Sequence, residues 1–466
     1  ITILLGNALP LDQLLPIGYE RPRLTGCVVA GLSGSVGSDS TDFNGGFAGQ
    51  IIGTQLTDCH VKDSSYTVQA ESYGGGFVGL ARDAEIKGML QEGLGILTTG
   101  ATGSLILQCS VENWVPAMEE GRKTVQGGSY LGGFAGALAN SYTVDCSVSM
   151  KDSAALSVYG TGSHVGGWAG VGAVGWVMDL GKDNTNDTTL LGGVTGLLTG
   201  LLNNEGDTTA LLSVAGLSPS AIMGCQINSA GLTVHADGDY VGGFVGDGNG
   251  LYLTSSSAAY LKELTYWKYD VITKLPSGGT GRANGIDGLT SVEAGGSGAG
   301  GAAGSLGGAS VGGLLNDTVG LGKFLGFTVD GMALAGPYSV SAKEYAGGAL
   351  GLAMGGTVKN VNITNLTSVS AENMAGGFIG AGGPGSLAAT DGLSLNLLGL
   401  NNLLEVGNLL NVIPGVKLEL DNCTVSSAGD GYTVEATGSD DPTVEYVAGG
   451  FIARSNSTNM TNCHAE

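Results

Sequence analysis

Seven cysteines are the first residues in this chain that could do chemistry, as disulfides or zinc ligands. They stand at Cys27, Cys59, Cys109, Cys146, Cys225, Cys423 and Cys463. Their number is odd, no Cys-x-x-Cys spacing occurs, and the four histidines do not cluster. Carboxylates are the second candidates, because sugar cleavage needs paired acids, or a carboxylate with Ca²⁺ and a base. Asp237, Asp239, Asp247, Asp430, Asp440 and Asp441 qualify by type. All fall at turns, where Asp is favoured for its local hydrogen bonding, so they read as solvated turn residues before catalysts. Tyr66, Tyr73, Tyr130, Tyr240, Tyr432 and Tyr446 could stack on sugar rings; stacking between neighbouring strands is the plainer role.

Other motifs carry less. Gly296-x-Gly298-x-x-Gly301 matches a dinucleotide fingerprint without its βαβ setting, and Gly308-Ala309-Ser310-Val311-Gly312 matches a nucleophile elbow without strand, helix, acid or histidine. No Gly-x-x-x-x-Gly-Lys-Ser/Thr and no His-Glu-x-x-His occurs. Asn-x-Ser/Thr stands at Asn186, Asn316, Asn362, Asn365, Asn422, Asn456 and Asn459, where a polar strand ladder is the simpler reading.

The elements that hold these residues are repeats. Gly-Gly-Phe-x-Gly begins at Gly45, Gly75, Gly132, Gly242 and Gly376, with variants at Gly166, Gly347 and Gly449. Fourteen positions separate Gly45 from Cys59, Gly132 from Cys146 and Gly449 from Cys463. Gly347 plus 14 lands on Val361, and Phe327 is expected to be another occupant of the cysteine place. A third, alternating piece recurs as Tyr66–Ala70, Leu232–Ala236, Tyr338–Ala342, Thr367–Ala371 and Tyr432–Ala436. Three β-type segments and three turns in roughly thirty residues predict one coil of a right-handed parallel β-helix, an all-β solenoid. Equivalent cysteines then stack inwards on successive coils. Substitution by apolar residues predicts a ladder of buried thiols rather than disulfides.

Coils are expected over about 24–78, 105–168, 222–246 and 325–466, forming one elongated unit over 1–466. Leu/Gly-rich insertions fall at about 80–103, 174–220, 251–323 and 386–416. Within the third, Leu289–Ala294 and Gly300–Gly304 match two pieces of the repeat, so the 278–313 tract is either a degenerate coil or a Gly/Ser linker. The insertions are too apolar for solvated loops and should pack on the stack, on one another or on a partner.

Composition narrows the function. Glycine is 87 of 466 residues, far above the usual ~7 %, with no Gly-X-Y period. The net charge of −23 argues against nucleic acid or an anionic membrane as partner, and no apolar run reaches the ~20 residues of a membrane span. It permits Ca²⁺ binding, but no motif specifies it, and no cofactor is assigned. The start at Ile1 and the stop at Glu466 within a repeat lead us to expect a segment of a longer protein, with signal and anchor outside it.

Gly-Gly-Phe-x-Gly followed by Asp58-Cys59-His60-Val61, Asp145-Cys146-Ser147-Val148, Asn422-Cys423-Thr424-Val425 and Asn462-Cys463-His464 resembles the GLUG-type repeat of bacterial surface proteins. Such repeats occur in large secreted adhesins and in the non-catalytic part of IgA-cleaving metallopeptidases. The resemblance implies an extracellular, cell-surface stalk or adhesin whose partner is a protein or glycan of a host or neighbouring cell. Two alternatives stand beside it: a polysaccharide-active β-helix enzyme, and a filament subunit that associates end to end. No catalytic, cofactor-binding or metal residue is assigned.

Overall fold

A computed structural model describes residues 22–82, 103–117, 123–173, 220–265, 280–310, 324–385, 417–427, 429, 431–438 and 445–466. Among them the chain winds into a parallel β-helix of nine coils and the start of a tenth. One wall is a nine-stranded parallel sheet, and the rest of the circumference is a thirty-stranded sheet. Coil 3 shows the plan: Leu105–Leu107, Ser110–Trp114, Val125–Gly132 and Ala135–Ala139 are its strands a, b, c and d. Each pairs in parallel with its counterparts in the coils before and after.

Strand a was not foreseen from the three-piece repeat. It is short, and it ends at a residue in the left-handed region: Asp58, Gln108, Asp145, Asn422 and Asn462 have φ between 52° and 54°. Asp and Asn tolerate that conformation better than most side chains. The chain therefore turns immediately before the cysteine place.

That turn explains the cysteines. All seven are free thiols, and five are buried. The register stacks Cys27, Cys59, Cys109, Cys146, Cys225, Asn284, Met332, Val361, Cys423 and Cys463 in one file. Phe327 is not in it: Phe327 pairs with Gly356 in the file of strand a, and Met332 takes the expected place. The amide of Cys59 donates to Cys109 Sγ at 3.4 Å, and that of Cys109 to Cys146 Sγ at 3.4 Å. The Cys225 amide meets Asn284 Oδ1 at 2.8 Å, while Asn284 Nδ2 donates to Ile222 O at 2.9 Å. The slot thus does more than fill space, because its side chain accepts an amide that the turn aims inwards. Leaving such a buried group unpaired costs about 1–3 kcal/mol.

The Gly-Gly-Phe-x-Gly corner is a close approach of backbones. A Cβ on Gly75 would sit 2.1 Å from Val78 O, and one on Gly76 2.2 Å from Gly133 O. The aromatic residue points inwards and stacks on its neighbours. Phe47, Phe77, Phe134, Trp168 and Phe244 follow one another at 4.3–5.6 Å with nearly parallel rings. Ala302 and Ala349 interrupt the file before Phe378 and Phe451 resume it at 4.9 Å. Tyr338, fully buried, lies beside Gly301 and donates to Gly348 O at 2.9 Å there.

The 278–313 tract is settled in favour of a coil. Asn284–Ala294, Ala299–Gly300 and Ala303–Gly307 are strands b to d of coil 6, and Tyr252–Thr254 is its strand a. The third insertion therefore divides in two. With that correction, the passage from strand d to the next strand a alternates strictly. Ile52 to Gln55, Ala139 to Tyr142, Asn249 to Tyr252, Met354 to Gly356 and Ser455 to Thr458 are tight. Arg82 to Leu105, Ala173 to Ala221, Gly307 to Phe327 and Gly383 to Leu418 are long. Every second coil releases an insertion from the same corner, so departures recur about 10 Å apart along the stack. Most of each insertion lies outside the described residues.

Candidate functional site

The outward residues of strand c begin the site. Successive coils place Gln69, Gln126, Tyr159, His235 and Glu293 in one file. Tyr159 and His235 stack with centroids 4.9 Å apart and rings 2° from parallel. The Tyr159 hydroxyl donates to Asp237, 3.1 Å from both carboxylate oxygens. His235 sits between Asp237 Oδ1 at 3.0 Å and Glu293 Oε2 at 3.2 Å. The ring of Tyr159 is thus fixed at its edge and on one face.

On the other side of Tyr159 the file continues with Gln126 and Gln69. Gly127 and Gly128 follow Gln126, and neither tolerates a side chain: a Cβ would fall 1.8 Å from Ala70 O and 2.3 Å from Glu71 O. An open trough of about 570 Å³ lies across coils 1 to 4. Gly127 and Gly128 form part of its lining with Tyr159, Thr161, Glu71, Asp39 and Lys123. The loop carrying Asp39 is held by Asn44, whose amide nitrogen donates to Thr41 O and Gln69 O at 2.9 Å each. Lys123 N donates to Gln126 Oε1 at 3.1 Å. A trough of this size lies within the roughly 300–1,000 Å³ range of small-ligand sites.

The carboxylates singled out by sequence do not converge. Asp237 belongs to the Tyr159–His235 cluster, whereas Asp239 accepts the Ser297 amide at 2.7 Å. Asp247 stands on the outer face of the nine-stranded sheet, continuing the file of Val171. There burial raises its carboxyl to about 6, against weaker opposition from Ser305 and the Gly248 amide, with His164 Nε2 at 3.7 Å. Asp430, Asp440 and Asp441 lie outside the described residues. Among the described residues no three His, Cys, Asp or Glu side chains gather as a metal ion would require.

The aromatics form ladders. Tyr66 stacks on Trp114 at 4.8 Å, and Tyr73 on Tyr130 at 4.7 Å. Tyr240 meets His164 at 5.6 Å, tilted, and the Tyr432 hydroxyl donates to Gly450 O at 2.6 Å. The two glycine motifs also serve structure. Gly296 to Gly301 lie at the turn into strand d of coil 6, and Ala309–Ser310 pairs antiparallel with Phe324–Leu325.

One constellation was missed by sequence. Asp58 Oδ1, His60 and Ser110 Oγ line up at 2.9 and 2.6 Å, with the serine facing Nδ1. The order resembles an acid–base–nucleophile relay. Ser110 is nevertheless only 5 % exposed, and its hydroxyl donates to Glu112 Oε1 at 2.6 Å. Glu112 in turn pairs with Lys62 at 3.2 Å. The group is an inter-coil polar clamp and not an accessible nucleophile.

Another part of the described surface is covered by the chain itself. Outward residues of strand a are apolar in coils 3 to 5, at Leu105, Leu107, Tyr142, Val144, Ala221 and Met223, and all are buried. Helix α1, Ala258–Thr265, lies against them through Tyr260 and Leu261, and the Tyr260 hydroxyl reaches Asp330. Among the described residues no helix is long and apolar enough to cross a membrane. Compared with protein families, with curated proteins and with solved structures, the chain matches none.

Proposed function

We propose that the chain is a structural and adhesive segment of a large secreted bacterial cell-surface protein, a scaffold that holds its outer face and its insertions against another surface. The observation that carries this reading is the two-coil alternation, which releases one insertion per two coils at the corner between strand d and the next strand a. Solenoid insertions tend to mark the binding face. A spacer alone would be a poor use of the chain, since nine rungs reach only about 40 Å. The likeness of the Gly-Gly-Phe and Cys-x-Val pieces to GLUG-type repeats points to the same location.

The test is adherence. Beads coated with residues 1–466 should settle on host or neighbouring bacterial cells in a saturable way that soluble protein competes. Beads that behave as albumin-coated ones across such a panel would overturn the adhesive role.

End-to-end association is a second reading, favoured by where apolar surface remains. Among the described residues the exposed large hydrophobics are Leu24, Val28, Ile52 and Met460, all on the first and last coils. Sedimentation across a thousand-fold concentration range should show growth; one constant species would exclude it.

A further inference from the structure

We propose that the two ends of the cysteine file are oxidation sites, where peroxide joins Cys27 to Cys59 and Cys463 to Cys423 as disulfides that staple the outermost coils. The inference goes beyond the adhesive reading and does not depend on it.

Position comes first. Val28 pairs with His60 and Thr424 with His464, so each half-buried end cysteine lies one rung from a buried one. A backbone hydrogen bond closes each of these rungs, His60 N to Cys27 O at 2.9 Å and His464 N to Cys423 O at 3.0 Å. A rung spacing of about 4.8 Å falls within the roughly 4.4–6.8 Å that separates the Cα atoms of a disulfide. All four side chains pack into the core. Cys59 Sγ leans towards coil 1, 3.6 Å from Leu24 O, and the Cys463 thiol is close enough to Cys423 to hydrogen-bond it.

Freedom comes second. Cβ atoms one rung apart are slightly too far for a relaxed disulfide, so one coil must tip towards the other. Among the described residues Val28–Ala30 pairs only with His60–Lys62, and His464–Ala465 only with Thr424–Ser427. These end strands can shift without tearing a second ladder. Ser110–Trp114 and Ser147–Met150, which follow inner cysteines, are held on both sides.

Access comes third. Cys59, Cys109, Cys146, Cys225 and Cys423 are buried, whereas Cys27 and Cys463 are half-buried. A hydrogen bond with Cys109, together with burial, pushes the Cys59 thiol up, and burial pushes Cys423 up to about 12. The buried partners keep their protons while the end thiols meet the oxidant.

The chemistry balances with hydrogen peroxide. The sulfur of Cys27 attacks one peroxide oxygen and the O–O bond breaks. Cys27 becomes a sulfenic acid, and the departing hydroxide takes the thiol proton as water. The sulfur of Cys59 then displaces the hydroxyl group, which leaves with the Cys59 proton as a second water. Two thiols have lost two electrons and one peroxide has gained them. Cys463 and Cys423 follow the same course. Each disulfide closes a loop of roughly thirty to forty residues, which restricts the unfolded chain.

The experiment treats folded residues 1–466 with hydrogen peroxide, alkylates the remaining thiols after unfolding, and maps disulfides by peptide mass spectrometry. We expect Cys27–Cys59 and Cys423–Cys463, with Cys109, Cys146 and Cys225 alkylated. The urea midpoint should rise on oxidation and return on reduction with dithiothreitol. Cys27→Ser should lose the first disulfide and keep the second, and Cys463→Ser should do the reverse. Both positions are half-buried, and a urea curve for each variant checks that it folds. The proposal is overturned if either disulfide is missing, if an inner cysteine is oxidised as fast, or if oxidation lowers the urea midpoint.

Discussion

Two aromatic files run along this molecule at the same rung spacing, one inside the stack and one outside. Phe47, Phe77, Phe134, Trp168 and Phe244 point inwards, each covered by its neighbours and closed in by the sheets. Tyr159 and His235 point outwards and stack just as closely, but their file is otherwise polar, with Gln69 and Gln126 on one side and Glu293 on the other. Inside, the file is interrupted at Ala302 and Ala349, and Tyr338 holds the corner there through Gly348 O, as Tyr66 and Tyr432 do at corners that keep their phenylalanine. Outside, a trough lies over coils 1 to 4, with Gln126 and Tyr159 in its lining. An inward ladder is a packing device. An outward one leaves its side chains within reach of solvent.

The largest effect that would break this contrast belongs to the interior. Phe134 is fully buried between Phe77 at 4.8 Å and Trp168 at 4.3 Å. Phe134→Ala should cost about 3–5 kcal/mol in urea unfolding; a loss below about 1 kcal/mol would show that the file is not a core.

Next comes the polar file inside the stack. Asn284→Val keeps the slot filled but leaves the Cys225 amide and the Ile222 carbonyl without their side-chain partners. A loss of about 2–3 kcal/mol is expected, whereas pure packing would make the exchange nearly neutral. Cys109→Val, which strips one acceptor from the Cys59 amide, should cost less, about 1–2 kcal/mol.

Asp247 tests whether every outward face is alike. Its file mates Leu80, Ala137 and Val171 are covered by Phe43, Tyr73 and Tyr130, so this part of the outer wall is dry. A carboxyl raised from 3.8 to about 6 binds its proton more tightly folded than unfolded. Stability should therefore fall as pH rises from about 4 to 6, by on the order of 2 kcal/mol, and Asp247→Asn should remove that slope. Identical pH profiles for the two proteins would show that the site is wet.

The smallest stability change is expected at Tyr159. Tyr159→Ala should alter unfolding by no more than about 0.5 kcal/mol. A large loss of stability would make the outer stack a structural element and erase the contrast.

How much of this was readable beforehand follows from the physics of each position. The Gly-Gly-Phe corner was legible because backbone contacts near 2 Å to any added Cβ admit only glycine there. The cysteine file was legible as buried, but its hydrogen-bonding duty was not. Val361 hinted at packing alone, and Asn284 was hidden in a glycine-rich tract. Missing that coil also merged two loops into one insertion at 251–323, which concealed the alternation. Strand a left little trace because three residues ending at a left-handed Asp, Asn or Gln look like a loop. The trough had no signature at all. It is defined by a register that brings Asp39, Glu71 and Tyr159 together from three separate coils.

The most direct test of the whole account is amide hydrogen exchange on residues 1–466. Slow exchange should mark the coil strands, including Asn284–Ala294 and Ala303–Gly307 of the coil hidden in the glycine-rich tract. Fast exchange through those two strands would contradict it.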